Sequence, residues 1–393
     1  MKPWAGLTLA LTPFLLHLPL PWMVLISWAG FLVLWFYRDQ IKQPVWFLLP
    51  LFLTALWRLP SPPLLADDYL RYLFDGALIS QGILPYGKLP LDFPGLGGLD
   101  IPRPEVATVY PPLAELVFAL GYQLGDSVLS FRLLNIVALL GFCALCPWAF
   151  PKMGLRLAVL VLACPITGQE LLHSGHIDAW LLPVLALWHG FTQRGQDRRA
   201  ALALIAAVLI KLTPLILLLP WFWFAPKKRP LVMITGAVGL LCLPPFALGL
   251  APSLGLFYQS IEGYSPLFRL LRTGLSMPTA RLVAGGLGVL LWMMARKDKL
   301  SPTAALGMMG GLALFLPFGF PWYLTAALPW VVSQKRFWPL GFAGNLHLLY
   351  YLDSSPVLSW VCTLAAAGFA SQGIYGILFR KPRHPTPHPQ RLG

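Results

Sequence analysis

The sequence predicts an all-α fold, a polytopic transmembrane bundle of about 11–14 membrane helices. Three observations carry this. Hydrophobic residues make up 57% of the 393 positions and charged residues only 11%, whereas a soluble domain carries roughly 25% charge to solvate its surface. Mean hydropathy is +0.69. The few charges are clustered, and apolar runs such as 231–250 lie between them, long enough at about 1.5 Å per residue to cross a hydrocarbon core of about 30 Å. A net charge of +14 would suggest nucleic acid on a soluble protein. Here Lys and Arg sit in short clusters between apolar runs, which reads as membrane orientation, and no nucleic-acid partner is expected. The five cysteines fall in or at the ends of apolar runs. Cys143 and Cys146 have CxxC spacing without a companion ligand pair, so they read as small buried hydrophobes.

The elements follow from apolar length, and their sides from Lys and Arg in short connections. Residues 5–19 and 21–37 form a tight helical pair, with the first run retained as an anchor, and the basic stretch 37–42 marks the cytoplasm. Residues 44–59 cross outward into a long loop, 60–110, rich in Pro, Gly and Asp. Residues 112–124 are too short to span and form a half-embedded helix on the outer side. A span at about 130–150 returns to Lys152 and Arg156. Spans at 155–170 and 177–192 meet at an outer connection, 167–178, and the segment 200–225 is a hairpin of two short helices meeting near 211–214. After it come 231–250, an outer loop at 251–276, and helices at 277–295, 301–317, 337–352 and 356–379. The chain thus divides into one membrane domain, 1–379, and a basic cytoplasmic tail, 380–393.

Polar chemistry concentrates in three places. In 66–87, Asp68, Arg71, Tyr72 and Asp75 are spaced i, i+3, i+4, i+7 and share one helix face, opposite Leu70, Leu73, Phe74 and Ala77. This predicts a helix lying along the membrane surface, with Asp67 and Asp68 at its N-terminal end where the dipole keeps carboxylates ionised. The plainer reading is a solvated loop helix with an Asp67–Arg71 surface pair. Three of the chain's 15 acidic residues within nine positions favour a functional one. The second place is 169–178, with Glu170, His173, His176 and Asp178. His173 and His176 have metal-ligand spacing, but Gly175 argues for a bend, so substrate contact is preferred to a metal. The third is Lys211, an ammonium at membrane depth that needs a cavity or a partner, either a lipid phosphate or a buried carboxylate such as Glu170. Trp322 and Tyr323 mark another outer helix end.

In order along the chain, "DDYLRYLFDG" (67–76), "GILPYG" (82–87), "TVYPPLAELVF" (108–118), "LLHSGHIDAWLLP" (171–183), "KLTP" (211–214) and "FPWY" (320–323) resemble bacterial polytopic mannosyltransferase-like proteins of the GT-C glycosyltransferase class. The resemblance covers about residues 60–330. It implies a many-helix inner-membrane enzyme that uses a polyprenyl-phosphate sugar as donor, with its active site in the first large outer loop. Asp67 and Asp68 match the paired acidic motif, one of them acting as base. Two departures stand out: two spans precede the motif where many members have one, and Phe74 replaces the usual Trp.

On this resemblance, Asp68 or Asp67 takes the proton of an acceptor hydroxyl, on a glycan, lipid or protein, as it attacks and inverts the anomeric carbon. Arg71, Lys211 and His176 are the cations expected at the departing lipid phosphate. Tyr72, Tyr86 and Tyr110 are expected to stack on sugar, with Asp75, Glu170, His173, Asp178, Trp322 and Tyr323 lining the substrate. No cofactor is expected, and a metal is not required. The rival is a transporter or lipid-linked-sugar flippase, against which stand the acidic residues gathered in a loop rather than at the midplane and the lack of repeated halves.

Overall fold

The computed structural model describes residues 2–15, 20–63, 67–94, 101–215, 217, 236, 245–260, 265–295, 320–333, 338–352 and 356–378. Most of 231–250, all of 301–317, the basic clusters 227–229, 296–299 and 334–336, Cys242 and the tail 380–393 lie outside these. The described residues form helices and connections without strands.

The first pair is α1 (Lys2–Leu15) and α2 (Leu20–Phe36). It packs backbone against backbone: a Cβ added at Gly30 would fall 2.2 Å from the Ala10 nitrogen. Small residues permit such approach where dispersion, not water exclusion, drives helix association. Then come α3 (Pro44–Trp57), α4 (Asp68–Ser80), α5 (Pro112–Leu124) and α6 (Val128–Ala149). Pro112 at the first turn of α5 loses no hydrogen bond and fixes φ for the helix. The 13 residues of α5 extend about 20 Å, short of a bilayer core of about 30 Å.

The run expected as one span over 155–170 is broken. α7 (Leu155–Ala163) stops at Cys164, which adopts an extended backbone because Pro165 crowds the residue before it out of the helical region. The chain resumes as a π-helical turn, Thr167–His173, bent by 80° from α7. Gly175, at φ +80°, provides the predicted bend into a 3-10 turn, Ile177–Trp180, that leads into α8 (Leu181–Gln193). α9 (Asp197–Ile210) stops at Lys211, whose backbone is extended. Beyond it are α10 (Ala251–Ser260), α11 (Pro266–Arg272) and α12 (Met277–Ala295), the first two lying within the stretch expected as a loop. A 3-10 turn, Pro321–Ala327, is followed by α13 (Leu328–Ser333), α14 (Trp338–Leu352) and α15 (Pro356–Leu378).

Among the described residues, Val128–Ala149 is long and apolar enough to cross a membrane alone, and α7 with its bent continuation is apolar enough for a broken span or a re-entrant loop. Exposed side chains support the same environment. Leu129, Leu133, Val137 and Leu140 make an exposed stripe along α6, and Trp46, Leu49, Leu53 and Leu56 make another along α3. Apolar stripes of this length suit hydrocarbon rather than water.

The helices also sort charge. α3 ends, and α4 and α6 begin, at the same end of the bundle as the 167–180 segment, which touches α3, α6, the end of α9 at Lys211 and the Pro321–Ala327 turn. The connections at the other end hold Arg38, Lys42, Lys152, Arg156, Arg194 and Arg198. One end therefore carries an excess of Lys and Arg, with Asp39 and Asp197 beside them, and the other brings Asp68, Glu170, His176 and Asp178 together with Arg58, Arg103 and Lys211.

Candidate active site

α4 does not lie on a surface. Tyr72, Leu73, Phe74, Asp75, Gly76, Ala77 and Leu78 are all buried, so both of its faces are covered. Gly76 makes one side possible, since a Cβ there would fall 2.3 Å from the Phe118 carbonyl on α5. The opposite side carries Phe74 and Leu78 against Ile101 and Phe93. The helix ends in a Schellman turn: Gly82, at φ +76°, donates to the Ile79 carbonyl and Ile83 donates to that of Leu78, with Ile83 packed on Phe74 and Leu78.

The two ends of α4 are open, with Ser80 exposed at one and the carboxylates of the first turn at the other. Asp67 is exposed and stands just before the first turn. The Asp68 side chain is 38% exposed, and its Oδ2 faces His176 Nδ1 at 3.3 Å. On the other side of the ring, His176 Nε2 faces Glu170 Oε2 at 3.6 Å. The ring stacks on Trp322, centroids 4.0 Å apart, and Trp322 stacks on Phe320. Burial alone would lower the His176 pKa, but the carboxylates of Asp68 and Glu170 outweigh it and raise it from 6.5 to about 9. For Asp68 the partial burial acts upward; His176, with more distant help from Lys211 and Arg103, overrides it and holds the carboxyl below its ordinary value.

The loop carrying His176 hangs from α6. Asn135 donates to the carbonyls of Leu171 (2.7 Å) and His176 (2.9 Å). Arg132, 1% exposed, donates through Nε to the His173 carbonyl at 2.7 Å and through Nη1 to the Leu59 carbonyl at 2.7 Å. It thereby ties the end of α3 to the same loop. The Leu171 and His173 carbonyls lie in the last turn of the π-helical segment, where a helix leaves its carbonyls without a partner of its own.

Lys211 finds a carboxylate, but that of Asp178 rather than Glu170: Nζ lies 2.6 Å from Asp178 Oδ2 and 4.5 Å above the Tyr323 ring. Asp68, Glu170, His176, Asp178, Lys211, Trp322 and Tyr323 thus form one neighbourhood.

Other expected residues do not open onto it. His173 turns away from His176, its Nδ1 3.3 Å from Arg58 and its Nε2 2.6 Å from the Pro62 carbonyl, so the two rings do not act as a metal pair. Asp75 is fully buried, where desolvation, against weaker help from Arg71 and Thr108, lifts its pKa to about 7. It is closed to substrate. Arg71 is spent on the loop, donating to the carbonyl of Arg103 at 2.9 Å. Tyr72 is 1% exposed and stacked on Phe118, with Tyr110 edge-on, so Tyr72 offers no face to a sugar. Tyr86 is buried near the Gly87 turn. Among the described residues no group of three His, Cys, Asp or Glu side chains is set to hold a metal ion.

Two features near Asp68 were not singled out from the sequence. Arg103 is exposed, reaches Asp68 electrostatically, and sits at φ +53°, unusual for a side chain with a Cβ. His347 and Tyr351, on α14, both approach Glu170. The available signal for His347 was a lone polar ring in an apolar helix, which in a membrane marks function more often than in water.

Residues 10–226, more than half of the chain, match the family described as alpha-(1->6)-mannopyranosyltransferase, N-terminal domain. The chain belongs to this family. It is similar to alpha-(1->6)-mannopyranosyltransferase A of Mycobacterium tuberculosis, 22% identical over 390 residues, covering 84% of this chain and 74% of the relative. No solved structure matches. Membership makes the chain a mannosyltransferase-like protein of the GT-C class, as the motifs suggested, and the transporter reading is set aside. Within the mannopyranosyltransferase family match lie the end of α1 and all of α2 to α9, including Asp68, Glu170, His176, Asp178 and Lys211. Trp322, Tyr323 and His347 come from beyond it.

Proposed function

We propose that the chain, acting as one domain over residues 1–379, transfers mannose from a polyprenyl-phosphate donor to a hydroxyl of a glycan, lipid or protein acceptor. The reaction inverts the anomeric carbon on the extracytoplasmic face of a bacterial inner membrane. The alpha-(1->6) linkage belongs to this proposal through the name of the relative. The observation that carries it is Asp68, the partly open carboxylate at the start of a buried helix, faced by a buried histidine.

Asp68 takes the proton from the acceptor hydroxyl as the hydroxyl oxygen bonds to the anomeric carbon. The bond between that carbon and the phosphate oxygen breaks, and its electron pair leaves with the polyprenyl phosphate. Arg103, Lys211 and His176 are the cations grouped around Asp68 that suit the departing charge. Trp322, buried between the His176 ring and Phe320, holds that ring in place beside Asp68. Sidedness is supported by the basic connections at the opposite end, since Lys and Arg in short loops stay cytoplasmic.

Reconstituted protein given polyprenyl-phosphate mannose and an acceptor is expected to release polyprenyl phosphate and extend the acceptor. Transfer from a nucleotide sugar alone would overturn the donor assignment. A thiol introduced by Leu91→Cys, a position 60% exposed, is expected to react with an impermeant maleimide on intact cells. Reaction only after permeabilisation would overturn the sidedness.

The pH profile follows from the two shifts. The raised His176 pKa keeps the imidazolium until about pH 9, and the lowered Asp68 pKa keeps the carboxylate ionised into acid. The rate of transfer is therefore expected to fall on the alkaline side near pH 9, and on the acid side below the usual carboxylate range. Glu170→Gln removes one of the two carboxylates that raise His176, so the alkaline limb moves down. A wild-type limb at 6.5, the ordinary histidine value, would contradict this.

A further inference from the structure

His347 is fully buried on α14, and its two ring nitrogens have different partners. Trp28 Nε1, on α2, lies 2.9 Å from Nδ1. An indole N–H only donates, so Nδ1 must accept and carries no proton. The ring proton is then on Nε2, which lies 3.0 Å from Glu170 Oε1 and donates to it. Tyr351 donates its hydroxyl to the same oxygen at 2.9 Å. With Oε1 held by two donors, Oε2 is left facing His176 Nε2 at 3.6 Å, and the other nitrogen of that ring faces Asp68. A chain of polar groups thus runs from α2 and α14 to the open carboxylate: hydrogen bonds carry it as far as Glu170, and charge attraction at 3.6 and 3.3 Å continues it through His176 to Asp68.

We propose that His347 is a positioning residue for the transfer: locked by Trp28 as the Nε2–H tautomer, it fixes Glu170, and Glu170 fixes the His176 ring that aims Asp68. The inference rests on Asp68 as base. His347 itself reaches the carboxylate only through Glu170 and His176, the logic of an outer partner setting the tautomer and direction of a working histidine.

The test uses the full chain in proteoliposomes with polyprenyl-phosphate mannose, each variant checked for a normal thermal unfolding midpoint. His347→Leu is expected to lower kcat roughly 10–100-fold, the cost typical of losing an outer partner, with KM changed by less than about threefold, and to move the alkaline limb of the pH profile. His347→Gln, whose amide can still donate to Glu170 and accept from Trp28, is expected to recover most of the rate. Trp28→Phe keeps the packing but removes the N–H, and is expected to give a smaller loss in kcat alone. If Asp68→Asn is inert while His347→Leu and Trp28→Phe leave kcat and the pH profile unchanged, or raise only KM, the positioning role is refuted and the base assignment stands. If Asp68→Asn transfers at the wild-type rate, the transferase reading falls first.

Discussion

Asp68→Asn is expected to lower kcat for mannosyl transfer about a thousandfold, within the range for loss of a general base, with the protein still folded. The substitution keeps shape and hydrogen-bonding capacity at a side chain that is 38% exposed, so little packing is lost. It removes the lone pair that receives the acceptor proton. Asp67→Asn is expected to cost far less, because Asp67 is exposed before the helix, whereas Asp68 is aimed by a buried ring. Steady-state rates with the lipid-linked donor separate the two. A larger loss from Asp67→Asn would transfer the role to that residue.

Lys211→Met is expected to destabilise the protein by about 3–5 kcal/mol, the cost of leaving one charge of a buried pair uncompensated. The side chains of Lys211 and Asp178 are only 10% and 1% exposed at a separation of 2.6 Å. Without the ammonium, Asp178 must ionise in a closed site or take up a proton. The double variant Lys211→Met/Asp178→Asn is expected to recover most of that stability and little of the activity, because the cation beside Asp68 is still missing. Thermal unfolding in detergent gives the coupling from the four proteins of the cycle. A single variant as stable as wild type would show that the pair is solvated.

Most helix positions were legible because apolar length and proline placement act locally. Pro112 opens α5 and Lys211 closes α9 where the sequence placed them. The break at Cys164 was legible in principle, since the residue before a proline leaves the helical region, but apolar continuity through 155–170 hid it. Helical spacing at 68–75 placed Asp68 correctly. It misread the environment of α4, because periodicity cannot reveal that Phe118 and Ile101 cover opposite faces. The choice of Asp178 over Glu170 for Lys211 depends on the bend at Gly175 and the following turn, which reverse the direction of neighbouring side chains. His347 shows in the sequence only as a polar ring in an apolar helix; its role was beyond local reasoning, because its partners Glu170 and Trp28 are 177 and 319 positions away.

That distance bears on when the enzyme can begin to work. Trp28 and His347 stand 319 positions apart in the chain, yet they meet at one nitrogen. A nascent chain that has inserted α1 to α9 already carries Asp68, His176 and Lys211, but lacks the α14 groups that hold Glu170. The polar groups that hold Glu170 are therefore complete only once α14 has packed against α2 and the 167–173 turn.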